Sequence, residues 1–152
     1  MEPGQRVAIV GDSGAGKSTL LGMICRLHDP TRGTVLIDGY DIRHWTINSL
    51  REQQGIVMQE NSVFSASVAD NIALIHPDAL ESEIQRAAKV AGAAEFIEQL
   101  PLGYQTVVGE KGANLSRGQV QRIAIARATL RPCPIFLFDE PTTGLDEANE
   151  RF

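Results

Sequence analysis

Residues Arg6–Thr19 read Arg-Val-Ala-Ile-Val-Gly-Asp-Ser-Gly-Ala-Gly-Lys-Ser-Thr, and this stretch decides the fold. The β-branched run Arg6–Val10 predicts a buried strand. A glycine-rich segment, Gly11–Gly16, follows, and a helix is predicted from Lys17 to about Arg26. Gly11-x-x-x-x-Gly16-Lys17-Ser18 placed between a strand and a helix is the arrangement a phosphate cradle needs. The glycines Gly11, Gly14 and Gly16 permit backbone in which N–H groups converge, with Asp12, Ser13 and Ala15 supplying the positions between. The helix directs its positive end at the same point. Lys17 brings a mobile charge for β- and γ-phosphates, the Ser18 hydroxyl suits Mg²⁺, and Thr19 is placed for an α-phosphate. Alone this implies the phosphates of a Mg-bound nucleotide, in any of several NTPase classes, with Mg-ATP the ligand expected. The bland alternative is a glycine-rich turn that carries a lysine, and the strand–loop–helix context argues against it.

Working outward, Gly33–Ile37 predicts a strand with a turn at Asp38-Gly39, and Thr46 to about Glu52 a short helix. Gly55–Met58 reads as a buried strand ending at Gln59. Two helical patterns, Ser82–Ala91 and Ala93–Leu100, are divided at Gly92. A loop with Pro101, Gly103, Gly109 and Gly112 comes next. Ser116 opens a helix to about Leu130, and Ser116 and Gln119 have capping-box spacing. Pro132 and Pro134 stop that helix, and Ile135–Phe138 is a buried strand ending on Asp139-Glu140. Strands alternating with helices predict an α/β fold: a mainly parallel sheet with helices on both faces and a helical insert.

Two further places carry chemistry. In open α/β sheets ligands sit at the carboxyl edge of the strands, where Asp139 would hold Mg²⁺ and Glu140 would polarise an attacking water. An isolated acidic pair is often only solvated charge, but the apolar strand before it favours the metal reading. The helix start Ser116-Arg-Gly-Gln119 supports two readings equally, a well-made cap and a second anion site.

The 152 residues are 43% apolar and 22% charged, ordinary for one soluble domain with a sizeable core. A net charge of −5 argues against a general nucleic-acid binder. Cys25 and Cys133 have no metal-type spacing and read as reduced thiols of a cytosolic compartment. No stretch approaches the roughly 20 apolar residues that span a bilayer, and no signal peptide is visible, so a membrane role would need an anchor from other segments.

Together the motifs resemble the nucleotide-binding domains of ATP-binding cassette (ABC) transporters, a family of P-loop NTPases with a RecA-like core and an inserted α-helical subdomain. Gly11–Thr19 resembles Walker A. Gln59, in Val57-Met-Gln-Glu-Asn61, resembles the Q-loop glutamine, which the family uses at Mg²⁺ and facing the transmembrane domain. Leu115–Gln119, running into Val120–Ala128, resembles the signature motif. Phe138–Asp146 resembles Walker B followed by the D-loop. The resemblance covers essentially the whole chain, and it implies the following roles. Glu140 and Gln59 would be catalytic. Gly11, Asp12, Ser13, Gly14, Ala15, Gly16, Lys17, Ser18, Thr19, Ser116, Gly118, Gln119 and Asp146 would bind ATP, and Ser18, Gln59 and Asp139 the Mg²⁺. Residues 1–59 and 131–152 would be catalytic core pieces, and about 60–130 the helical subdomain. Partners would be a second such domain, head to tail, and a transmembrane domain, with no nucleic acid, at the cytoplasmic face of a membrane. Phe96–Tyr104 and Thr106–Gly112 resemble the exporter X-loop, with Glu110 near coupling helices, and Asn61–Ile72 has an exporter-like cast.

Three departures accompany the resemblance. Arg117 stands where the family signature usually has glycine, near the expected phosphate. The adenine-stacking aromatic of the family lies upstream and has no counterpart here, which lowers the expected affinity by on the order of 1–3 kcal/mol. The family's switch histidine follows Walker B, whereas His28, His44 and His76 all precede it. The chain therefore looks like a piece of a longer polypeptide or a truncated product, and a gap in the sheet is expected, with poor autonomous stability or else a rearranged sheet. The leading reading is an exporter-type ABC ATPase. The alternatives are a soluble ABC ATPase and a nucleotide-binding remnant without turnover.

Overall fold

The computed structural model describes residues 1–109 and 115–140. Within them the chain parts between Gln53 and Gln54 into two compact units.

In the first unit the expected strand over Arg6–Val10 is absent: these residues join no ladder, and Val7, Ile9 and Val10 are all exposed. β-branched residues favour extended backbone, but a strand also needs neighbours that take up its N–H and C=O groups. Among the described residues Arg6–Val10 has none. Helix α1 (Lys17–Ile24) follows Gly16, whose φ of 92° only glycine adopts readily. It ends earlier than the apolar pattern suggests because Arg26 turns left-handed at φ 53°. The Arg26 guanidinium then donates to the carbonyls of Ile42 (3.2 Å) and Trp45 (2.8 Å), tying the helix end to a later turn. The expected Gly33–Ile37 strand shortens to β1 (Leu36–Ile37), which pairs antiparallel with β2 (Tyr40–Asp41). Asp38 and Gly39 both take positive φ between them, as a tight Asp-Gly hairpin turn requires. Asp41 caps the 3₁₀ turn Ile42–His44 and is held by Arg43 at 2.6 Å. Thr46 accepts from the Ser49 N–H to open α2 (Ile47–Glu52). Cys25, Ile42 and Leu50 are buried here.

The second unit is built on a parallel pair, β3 (Gln54–Val57) and β6 (Ile135–Phe138), in register from Gln54↔Ile135 to Val57↔Phe138. The helical insert lies between them in sequence, as a parallel crossover demands. Two short strands, β4 (Ala66–Ser67) and β5 (Val107–Val108), pair antiparallel. Between these lie α3 (Val68–Ile72), α4 (Glu81–Val90) and α5 (Ala94–Glu98). Gly92, at φ 64°, divides α4 from α5. Helix α6 (Arg117–Thr129) packs against α3, α4 and β3. Its buried face, with Val120, Ile123 and Ala126, meets Ile72, Ile84 and Ala88 in the core.

Among the described residues the strands thus form three separate two-stranded sheets, of which the β3–β6 pair is parallel and the other two antiparallel, rather than the mainly parallel sheet expected. Helix α3 is an addition to the expected elements. Ser67 accepts from the Asp70 N–H (3.0 Å) while Asp70 accepts from the Ser67 N–H (3.3 Å), a capping box of its own.

Candidate functional site

The glycine-rich loop closes on itself before the helix begins. The Ala15 N–H donates to the Asp12 carbonyl at 3.2 Å. Gly14 and Gly16 sit at φ 81° and 92°, a region that side-chain-bearing residues adopt at a cost. These two positions need glycine for the path of the chain, not for space, since an added Cβ would meet nothing within 4 Å. The Lys17 ammonium reaches back over the loop and donates to the carbonyls of Gly11 (3.0 Å) and Asp12 (2.9 Å). Asp12, Ser13, Ser18 and Thr19 are all exposed, so the loop presents its groups to solvent. Thr19 also borders a recess of about 430 Å³ with Met23, His28 and Arg32.

In the second unit the parallel pair delivers three polar residues to one edge. The ladder ends with Val57 beside Phe138, and one more bond, from the Asp139 N–H to the Val57 carbonyl (2.9 Å), carries it past β6. Asp139 is buried there. Glu140 turns left-handed at φ 48°, an uncommon conformation for a residue with a side chain. Its carboxylate accepts from the Gln59 amide at 2.9 Å. Gln59 and Glu140, 81 positions apart, are brought together because the strands that carry them are hydrogen-bonded in parallel register.

At the start of α6 the cap is formed. Ser116 Oγ accepts from the Gln119 N–H (3.2 Å), and Gln119 Oε1 accepts from the Ser116 N–H (2.9 Å). Both side chains are therefore engaged with the helix end, and Gly118 lies between them with no side chain over the first turn. Asp146, Glu110 and Gly112 lie outside the described residues.

Several residues without a local sequence signal join this second region. Asn61 donates to the Met58 carbonyl and to Gln121 Oε1, both at 2.7 Å. Arg127 donates to the carbonyls of Asn71 (2.8 Å) and Ser62 (3.3 Å), and burial pushes its pKa down from the usual guanidinium value. Asn71, buried in α3, accepts from the Phe64 N–H and donates to the Phe64 and Ser67 carbonyls. A polar residue on an apolar helix face signals such bracing, but its partners lie too far along the chain for local patterns to show. Gln59, Asn61, Ser62, Arg117, Val120 and Gln121 line a recess of about 380 Å³.

A family model for ABC transporters matches residues 1–143. The chain is 48% identical, over 99% of its length, to the heterocyst differentiation ATP-binding protein HepA of Nostoc sp.. It is 47% identical, over 98%, to the ATP-dependent lipid A-core flippase of Chromohalobacter salexigens. The structure matches that of a bacterial Atm1-family ABC exporter with ATP bound at a TM-score of 0.91 and 50% identity, covering 96% of this chain and 26% of that one. The chain spans about a quarter of the length of the curated relatives it matches. At half-identity and near-complete coverage the fold is the α/β P-loop NTPase fold with its helical insert, and the chain belongs to the ABC transporter family.

Proposed function

We propose that this chain binds Mg-ATP and hydrolyses it to ADP and phosphate, as the nucleotide-binding part of an ABC transporter that drives export across a membrane. The observation that carries the proposal is the Gln59–Glu140 hydrogen bond at the end of the parallel strand pair. A carboxylate fixed by an amide donor is oriented to accept a proton from, or align, an attacking water. The glycine-rich loop from Gly11 to Gly16, with Lys17, Ser18 and Thr19, holds the phosphates. Asp139 and Gln59 in the second unit offer a carboxylate and an amide oxygen, and Ser18 in the first a hydroxyl, each a hard donor of the kind Mg²⁺ takes. The metal supplies charge neutralisation on the phosphates when bound. Ser116, Gly118, Gln119 and Asp146 act on the nucleotide of a second copy in a head-to-tail pair. Residues 1–59 and 131–152 work as the catalytic core and about 60–130 as the helical subdomain.

Export is supported by the relatives, a flippase and an Atm1-family exporter among them. A transmembrane domain as second partner, at the cytoplasmic face of a membrane, is supported by relatives named a flippase and an exporter, of whose length this chain spans about a quarter; no helix among the described residues is long and apolar enough to cross a membrane. A net charge of −5 fits protein partners rather than nucleic acid.

The test is Mg-ATP turnover by the intact protein and its Glu140→Gln variant, with ATP binding followed in parallel. Losing a positioned base lowers turnover by about 10²–10⁴-fold while binding persists. Binding without turnover in the wild type would leave only the nucleotide-binding reading. Full turnover in Glu140→Gln would remove Glu140 from its role.

A further inference from the structure

Gln59 sits on a segment with no regular structure, Met58–Ser62, yet its amide meets Glu140 at 2.9 Å. An exposed side chain on such a segment holds a single geometry only if the backbone beneath it is fixed. Two side chains of α6 supply that fixation. Gln121, only 5% exposed, accepts from Asn61 Nδ2 at 2.7 Å, and the same Asn61 amide closes the segment on itself through the Met58 carbonyl. Further along α6, Arg127 donates to the Ser62 carbonyl. The segment is therefore held at its start by β3, at its middle by Gln121 and at its end by Arg127.

We infer that Gln121 is a positioning residue for ATP hydrolysis: through Asn61 it holds Gln59 at the distance from which Gln59 orients the Glu140 carboxylate. Gln121 touches neither substrate nor reacting atoms; it acts through the backbone of Met58–Ser62. This rests on the proposed hydrolysis. Because α6 begins at the Ser116 cap, the helix that presents the signature residues is also the one that sets the Gln59 segment.

Asn61→Ala, Gln121→Leu and the double variant of the intact protein test this by two measurements: ATP turnover across ATP concentrations, and hydrogen–deuterium exchange of 58–62. Losing one buried hydrogen bond of a positioning pair lowers kcat by about tenfold, with KM for ATP within about twofold of wild type. The double variant falls no further than the worse single, because the two residues share one bond. Exchange rises in 58–62 in all three. Unchanged kcat or unchanged exchange in Gln121→Leu, additive losses, or a rise in KM at constant kcat would each overturn the inference. If Gln121→Leu does not fold, Asn61→Ala, a half-buried change, carries the same readouts and decides the matter in the same way. If the wild type shows no turnover, the proposed hydrolysis fails and exchange alone decides about the latch: faster exchange confined to 58–62 supports it, and unchanged exchange rejects it.

Discussion

Gly55 occupies the second position of β3, opposite Phe136 of β6. Its φ lies outside the left-handed region, so alanine fits the backbone and the cost of Gly55→Ala is a matter of space alone. The added methyl would stand 2.7 Å from two carbons of the Phe136 ring and 2.8 Å from the Ala128 carbonyl oxygen. The two clashes differ in kind. Phe136 is 43% exposed and its ring can swing toward solvent. The Ala128 carbonyl belongs to the backbone of α6, so the helix must retreat from β3 by about 0.6 Å to restore ordinary contact, an overpacking that costs about 1–3 kcal/mol. Taking about 2 kcal/mol, and about 2–4 °C per kcal/mol for a chain of this size, thermal unfolding should fall by about 4–8 °C. Differential scanning calorimetry of the wild type, Gly55→Ala, Phe136→Ala and the double variant separates the contributions. If the helix carbonyl is the main obstacle, Gly55→Ala stays costly in the Phe136→Ala background. Complete relief there would show that the ring is the obstacle. An unfolding temperature within about 1 °C of wild type for Gly55→Ala would refute the close approach of α6 to β3 altogether.

Three further outcomes are expected. Ser116→Ala removes the oxygen that accepts the Gln119 N–H at the start of α6, and should lower stability by about 0.5–2 kcal/mol in denaturant unfolding, with Ser116→Asn recovering most of it. Arg117→Gly should alter ATP turnover more than ATP affinity, because the residue stands at the first turn of the signature helix; equal turnover of the two proteins would remove Arg117 from the reaction. The hydrogen bonds that Arg43 donates hold the Asp41 carboxyl at about 2, below its ordinary 3.8. A depressed carboxylate stabilises the fold above the unfolded pKa, so this contribution is complete above about pH 4 and disappears as pH falls toward 2. Asp41→Asn should flatten the stability profile in that acid range only, as followed by circular dichroism.

What the sequence disclosed, and what it concealed, follows from the range of the interactions. The Gly11–Thr19 loop was legible because its glycines, lysine and following helix act within a dozen residues. The Ser116–Gln119 cap was legible for the same reason, and the Ser67–Asp70 box carries an equal local signal. Ile135–Phe138 matched its strand residue for residue, since a short apolar run between two prolines and an acidic pair leaves little choice, but the expected burial failed: Phe136 and Phe138 are exposed, because an apolar run does not reveal which face is covered. Arg6–Val10 misled because β-branched residues report a preference for extended backbone, while pairing depends on neighbours that composition does not reveal. Helix α1 stopped at Ile24, short of the expected Arg26, whose side chain serves the carbonyls of Ile42 and Trp45, tertiary bonds overriding helix propensity. Asn61, Gln121 and Arg127 stayed invisible because their partners are 56 to 65 positions away or across a helix–loop contact. The resemblance to ABC domains assigned Gln59 and Glu140 to one reaction, and their hydrogen bond shows how the fold unites them.

The lysine folded over the phosphate loop has one more implication. Its ammonium already satisfies two carbonyls, so an arriving polyphosphate does not meet a bare cation. It must compete with the Gly11 and Asp12 carbonyls, which accept from the Lys17 ammonium at 3.0 and 2.9 Å. Phosphate binding at this lysine, as proposed, would thus be an exchange of acceptors, neutral oxygens given up for charged ones, driven by the difference between two sets of hydrogen bonds. Such an exchange discriminates by charge: a ligand with a weakly charged oxygen there would gain little over the loop's own carbonyls, while a fully ionised phosphate would gain much.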